Sequence, residues 1–374
     1  KGPAGSKVKI TVGRGKENIV FDITRGKIPV HCVDAAFMAN DTTGYIKLAK
    51  FSKNTFSEVS AAATKLLSQG MKKLILDLRD NSGGYFDQAL LLSDMFLEKG
   101  DEIVYMQGLH RKKEDYKADG RGILKDVSLM VLINESSASS SEIFAGAIQD
   151  NDRGTIIGRR SFGKGLVQEP LYFSDGSGVR LTVARFYTPS GRCIQKPYSD
   201  DYRYDIYKRY SEGEMYDADS IKVDSTAAYK TVAGRTVYGG GGIIPDIFVP
   251  LDTTVYTKYY RDLGRKNIII NCLMSYTDNH RKELKGKYKH FEDFNSTFEV
   301  PQELLDSIVS RGEKMDVRPA DDEEMQKTMV RLRLQVKALL ARDIWDIGEY
   351  YAIMNEENDI VKRALQLLEK EKQP

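Results

Sequence analysis

Asn134–Gln168 reads NESSASSSEIFAGAIQDNDRGTIIGRRSFGKGLVQ. Just before it, Val127–Ile133 (VSLMVLI) is a short, nearly continuous apolar run, which suits a buried strand. Asn134–Ala138 is small and polar, hence a loop. Ser141–Asp152 then places Ile143, Phe144, Ala147 and Ile148 at helical spacing, with Glu142 in the first turn. Thr155–Gly158 (TIIG) reads as the next strand. Strand, loop, helix and strand in succession point to an α/β core.

A serine at a strand-to-helix turn lies beside free backbone N–H groups and the positive end of the helix dipole. Such groups can stabilise an oxyanion. Ser139 is therefore a candidate nucleophile, Lys164 a candidate general base, and Gln168 a candidate for positioning the lysine. The competing reading is helix capping, the commonest job of serines before a helix, and five of them fall between Ser136 and Ser141. The histidines, His31, His110, His280 and His290, lie outside this stretch. Sequence distance does not exclude a Ser-His-Asp triad, which assembles in space, but none of the four has a recognisable catalytic setting. Gly158–Gly165 also matches a phosphate-binding loop in all but its last position, where Gly165 replaces the magnesium-binding hydroxyl. The following Leu166–Phe173 contains Pro170 and reads extended, whereas such a loop opens a helix. Nucleotide binding is thus the weaker alternative.

The run S-A-S-S-S-E-I-F-A-G-A followed by S-F-G-K-G-L-V-Q resembles the carboxyl-terminal processing proteases, also called tail-specific proteases. The resemblance implies a serine endopeptidase in which Ser139 is the nucleophile, Lys164 the base and Gln168 its companion. It departs from the family at Ser140, where alanine is common; that residue would act through its backbone N–H. The segment D-L-R-D-N-S-G-G at Asp77–Gly84 matches the family's oxyanion-hole segment, which assigns the amides of Gly83 or Gly84, with that of Ser140, to the hole. Without that context, paired glycines at a strand end read as an ordinary turn. The resemblance further implies a crotonase-like layered fold, protein substrates bound through their C-terminal tails, and an exported, periplasmic or envelope-associated enzyme.

Length and composition fit these expectations. At 374 residues the chain suggests two or three domains. It is 41% hydrophobic and 29% charged, as globular domains are. No apolar run is long enough to span a bilayer, and a net charge of +2 gives no nucleic-acid footprint. Cys32, Cys193 and Cys272 are scattered and have no metal spacing. Neither a cofactor nor a metal is called for, and self-association is left open.

Three regions are expected. In residues 1–27, alternating Val8, Ile10 and Val12, a Gly-rich turn, and alternating Ile19, Phe21 and Ile23 predict a hairpin with one buried face. It resembles the last two strands of a PDZ domain, so the chain is expected to begin inside such a domain. Residues 28–250 form the catalytic core. There, Gly44–Leu48, Lys73–Leu78 and Val179–Tyr187 read as strands and Glu58–Gln69 and Phe86–Leu97 as helices. Tyr198–Asp217 holds six tyrosines among charges and reads as a solvated insert or a helical flap. Gly239–Gly242 looks like a phosphate cradle, but no helix follows.

Residues 251–374 turn helical and charged. Met325, Met329, Leu332, Val336 and Leu339, and then Leu340, Ile344, Ile347, Tyr351 and Met354, form stripes that predict bundle packing. For the core, a lysine base has to be neutral, which calls for a site shielded from water beside apolar Phe162 and Leu166. Gln168 can orient the amine through its carbonyl without adding a negative charge. A non-catalytic peptide-binding scaffold on the same fold is the other alternative.

Overall fold

The structure is a computed structural model that describes residues 2–28, 30–198, 202 and 204–370. It divides into two compact units, residues 1–31 and residues 32–374. In the first, β1 (Lys7–Arg14) and β2 (Glu17–Thr24) pair antiparallel from Lys7 opposite Thr24 to Arg14 opposite Glu17. The hairpin is as the alternation requires, but its buried face is not. Ile10, Val12, Phe21 and Ile23 are all exposed, and a two-stranded hairpin has no second layer of its own to cover such a face.

The second unit is built on a six-stranded sheet. Its elements begin with β3 (Val33–Met38), β4 (Thr43–Leu48), α1 (Thr55–Ser68), β5 (Lys73–Asp77) and α2 (Phe86–Asp94). A side branch follows, β6 (Glu102–Gln107) and β7 (Glu114–Lys117), before β8 (Ser128–Ile133), α3 (Ser140–Asp150) and β9 (Thr155–Gly158). Next come β10 (Leu166–Tyr172), β11 (Gly178–Tyr187), α4 (Asp205–Ser211), β12 (Ala228–Lys230), β13 (Thr236–Tyr238) and β14 (Ile247–Phe248). The main sheet has the order β14-β9-β8-β5-β4-β3, parallel except for the β3–β4 pair. A second, antiparallel sheet has the order β10-β11-β6-β7.

Parallel strands are buried on both faces, so their sequences are apolar without a gap. Alternate side chains then feed two separate cores. Leu74 and Leu76, Leu129, Val131 and Ile133 join α1, α2 and α3 on one face. Ile75, Met130, Leu132 and Ile157 point to the other. Every residue of α3 is buried, and truncating a central ring such as Phe144, which has no exposure, would cost about 3–5 kcal/mol.

The C-terminal region is helical: α5 (Lys258–Arg265), α6 (Ile268–Lys287), α7 (Phe291–Thr297), α8 (Gln302–Lys314), α9 (Asp322–Ile344), α10 (Ile347–Glu356) and α11 (Asp359–Lys370). The predicted stripe is the packed face of α9, with Leu332, Val336 and Leu339 buried and Met325 and Met329 against them. The second stripe does not run through one helix. It breaks after Ile344, where Asp346 caps α10 in a capping box with Glu349. The last helix leaves the bundle. Ile360, Val361, Ala364 and Leu368 of α11 pack on the second face of the main sheet. Among the described residues no helix is long and apolar enough to cross a membrane.

Candidate active site

Three adjacent parallel strands, β5, β8 and β9, end on the same edge of the sheet. Ligands of open α/β sheets bind outside the carboxyl ends of the strands. The loops that follow these three strands are Leu78–Gly84, Asn134–Ser139 and Arg159–Lys164, the segments singled out by sequence.

Ser139 stands at the turn into α3 with φ +55° and ψ −115°. Such a backbone is costly for a side chain larger than glycine's, and strain of this kind gathers at functional sites. The neighbouring serines are committed elsewhere. Ser137 Oγ donates to the Leu78 carbonyl at 2.7 Å and Ser141 Oγ to that of Asn81 at 2.9 Å. Ser140 Oγ donates to the Gly84 carbonyl at 3.2 Å. These hydroxyls bind the Ser137–Ser141 turn to the Leu78–Gly84 loop. Ser139 is half-buried and faces a cleft of about 750 Å³ that Lys164, Gln168, Gly84 and Ser140 also line. Phe51, Phe86, Met106, Ile143, Leu166 and Phe186 give it an apolar wall, and no histidine lines it.

The two glycines are distinguishable. Gly83 has φ +92° and Gly84 φ +153°, and a Cβ on Gly84 would fall 1.9 Å from the Phe51 carbonyl oxygen. The Gly83 N–H is spent on Asn81 Oδ1 at 2.9 Å. The N–H groups of Gly84 and Ser140 have no partner among the described residues, so they are the donors left to face the cleft.

Lys164 is half-buried at the end of the loop, two residues before β10. A strand, not a helix, follows its glycines, so no P-loop forms. Gln168 sits beyond a register shift between Val167 and Gln168 and is exposed. It lines the same cleft, but among the described residues no side-chain hydrogen bond joins it to Lys164, and Lys164 bonds through its backbone N–H.

Sequence reading passed over Glu142 as a mere helix-start signal. Its carboxylate is fully buried and accepts from the Ser139 N–H at 2.8 Å, the Lys164 N–H at 2.8 Å, the Gly163 N–H at 2.7 Å and Ser161 Oγ at 2.5 Å. Burial pushes this carboxyl up, and the four donated hydrogen bonds act against that rise. The S-x-x-E spacing of a capping box was the available signal. Asn134 was also missed. Its side chain accepts from the Asp80 N–H and donates to the Asp80 carboxylate, both at 2.9 Å.

The tyrosine-rich insert is docked against the lysine loop, although residues 199–201 and 203 lie outside the described residues. Lys196 Nζ sits 4.1 Å from the Phe162 ring centre and 4.5 Å from that of Tyr202, and pairs with Asp205 at 2.9 Å. Arg209 of α4 is buried and donates to the carbonyls of Ser161 and Arg160. Gly239–Gly242 packs on this loop too: the Gly242 N–H donates to the Ile194 carbonyl, and the Ile243 N–H to Ser161 Oγ. Among the described residues, no group of three or more His, Cys, Asp or Glu could hold a metal ion.

Residues 42–204 match peptidase family S41, and residues 259–346 match a family of unknown function, DUF8443. The C-terminal processing peptidase of Tetradesmus obliquus chloroplasts is 37% identical over 213 residues, 52% of this chain and 45% of the relative. The carboxy-terminal-processing protease of Bartonella bacilliformis is 40% identical over 202 residues, 52% of this chain and 46% of the relative. Among solved structures, the photosystem II D1 C-terminal processing protease aligns with a TM-score of 0.44 at 29% identity, covering 67% of this chain and 57% of that one. The chain spans about half the length of the curated relatives it matches.

Proposed function

We propose that the chain, whose residues 42–204 match peptidase family S41, is the catalytic part of a serine endopeptidase of that family working through Ser139 and Lys164. The observation that carries this is Ser139 itself. It is a strained residue on the cleft, among serines whose hydroxyls are bonded away.

In this reading the Lys164 amine takes the proton of Ser139 Oγ as the oxygen attacks the peptide carbonyl carbon. The oxyanion that forms is received by the N–H groups of Gly84 and Ser140. The C–N bond then breaks, and the leaving amine takes the proton back from Lys164. Water, activated by the same lysine, releases the acyl group. Gln168 orients the lysine once a peptide fills the cleft. The apolar wall of Met106, Leu166 and Phe186 suits an apolar side chain before the cut bond.

The wider assignment rests on the family. It includes a crotonase-like layering of the core, a PDZ origin for the β1–β2 hairpin, substrates held by their C-terminal tails, and an exported or envelope location. PDZ domains take chain ends by adding a strand to their sheet, which would bring a tail toward Ser139.

Mass spectrometry of cleaved peptides and labelling by a serine-directed fluorophosphonate test the chemistry together. Wild type should label once, at Ser139, and cut. Ser139→Ala and Lys164→Ala should fold and do neither. A wild type that folds yet neither labels nor cuts would return the chain to a peptide-binding scaffold.

A further inference from the structure

The Arg79 guanidinium joins parts of the chain that lie 279 residues apart. Its Nε donates to both oxygens of Asp77 at 3.0 Å and its Nη2 to one of them at 2.5 Å. Its remaining nitrogen, Nη1, donates to Asn358 Oδ1 at 2.7 Å. Asp77 is fully buried and is held from the other side by the Tyr45 hydroxyl at 2.6 Å and Lys47 Nζ at 3.3 Å. The Arg79 backbone is pinned as well, its N–H to Asp77 at 2.9 Å and its carbonyl to Lys47. From there the chain runs through Asp80 and Asn81 into Gly83 and Gly84.

Asn358 is no loose surface amide. The same Oδ1 accepts from the Val361 N–H at 3.2 Å, so the side chain caps α11 while it holds Arg79. That helix is fixed in turn by its apolar face on the main sheet. The amide oxygen thus has a position set by the sheet's second face, and it delivers that position to the strand end on the cleft side.

We propose that Asn358 is a positioning residue of the peptidase site, which through Arg79 fixes the segment carrying the Gly84 amide. The inference rests on the reading of Ser139 as nucleophile and Gly84 as oxyanion donor. Loss of a single such donor costs about 10²–10³ in kcat, and such groups need placing to within about 0.5 Å. Asn358 acts one step further back, so its loss should cost about tenfold in kcat.

Asn358→Ser and Asn358→Asp separate this role from a purely structural one. Serine still caps α11 but is too short to reach Arg79; aspartate keeps both acceptor functions. Cleavage of a quenched fluorescent peptide is measured per fluorophosphonate-labelled site, together with KM and Tm. Asn358→Ser should keep its labelled fraction and KM and lose about tenfold in kcat, and Asn358→Asp should recover it. Wild-type kcat per labelled site in Asn358→Ser would overturn the proposal. So would an equal loss in both variants, or a fall in Tm and labelled fraction alone. A wild type that neither labels nor cleaves overturns the peptidase reading, and this one with it.

Discussion

Ser139 and Lys164 donate their backbone N–H groups to the same oxygen, Glu142 Oε2, each at 2.8 Å. The backbones of the proposed nucleophile and base are therefore held in register by one buried carboxylate, although no hydrogen bond joins their side chains.

Glu142→Gln removes one acceptor oxygen and puts an NH₂ where donors already point. Each buried donor left without a partner costs about 1–3 kcal/mol. The variant should melt several degrees lower and lose at least about 10²-fold in kcat, which differential scanning fluorimetry and peptide cleavage will show. Near-wild-type kcat would mean that the two loops hold their places without this link.

Ser140→Ala keeps the backbone N–H and removes only the hydroxyl contacts to the carbonyls of Gly84 and Tyr85, at 3.2 and 3.4 Å. These are long, so a loss within about 1 kcal/mol of stability is expected, with kcat down only a few-fold. Gly84→Ala should instead be inactive, because its Cβ would collide with the Phe51 carbonyl. Similar activity in the two variants would argue against Gly84 as an oxyanion donor.

How far these features were visible beforehand follows from how local their signals are. Thr155–Gly158 became β9 with the bounds read from sequence, and Ser141–Asp152 appears as α3 one to two residues earlier. A turn of apolar periodicity needs no distant partner to be recognised. The commitments of Ser137, Ser140 and Ser141 could not be seen, because each accepting carbonyl lies more than fifty residues away. Nor could the choice between Gly83 and Gly84, which turns on where the Asn81 side chain folds back. Helices do follow Leu251, yet α11 returns to the main sheet, where its apolar face packs with residues of β5 and β8.

The Asp77 carboxyl makes the stability depend on acid. Burial alone would raise it, but the Arg79 guanidinium and the Lys47 ammonium outweigh burial and hold it well below the usual carboxylate range. A group depressed by folding contributes its stability above the unfolded value, near 3.9, and loses it as pH falls toward the folded value. Asp77→Asn leaves Arg79 without its counter-charge, at a cost of about 3–5 kcal/mol. Urea unfolding should show that gap in full at pH 7 and narrowed below about pH 4. A gap that widens in acid would contradict the assignment.

Gln168→Glu tests whether this exposed residue senses the lysine. Gln168→Ala should lower kcat while keeping the labelled fraction, and Gln168→Glu, which adds a negative charge beside the site, should lower it further. Wild-type kcat in both variants would remove Gln168 from the machinery.

The closure of the sheet's second face by α11 also sets a timetable. During synthesis Ser139 and Lys164 leave the ribosome well before Asn358 and the helix behind it. A partly made chain therefore carries every residue that lines the cleft, but not the helix that closes the sheet's second face. On the role proposed for Asn358, arrival of residues 358–370 is the step that completes the site.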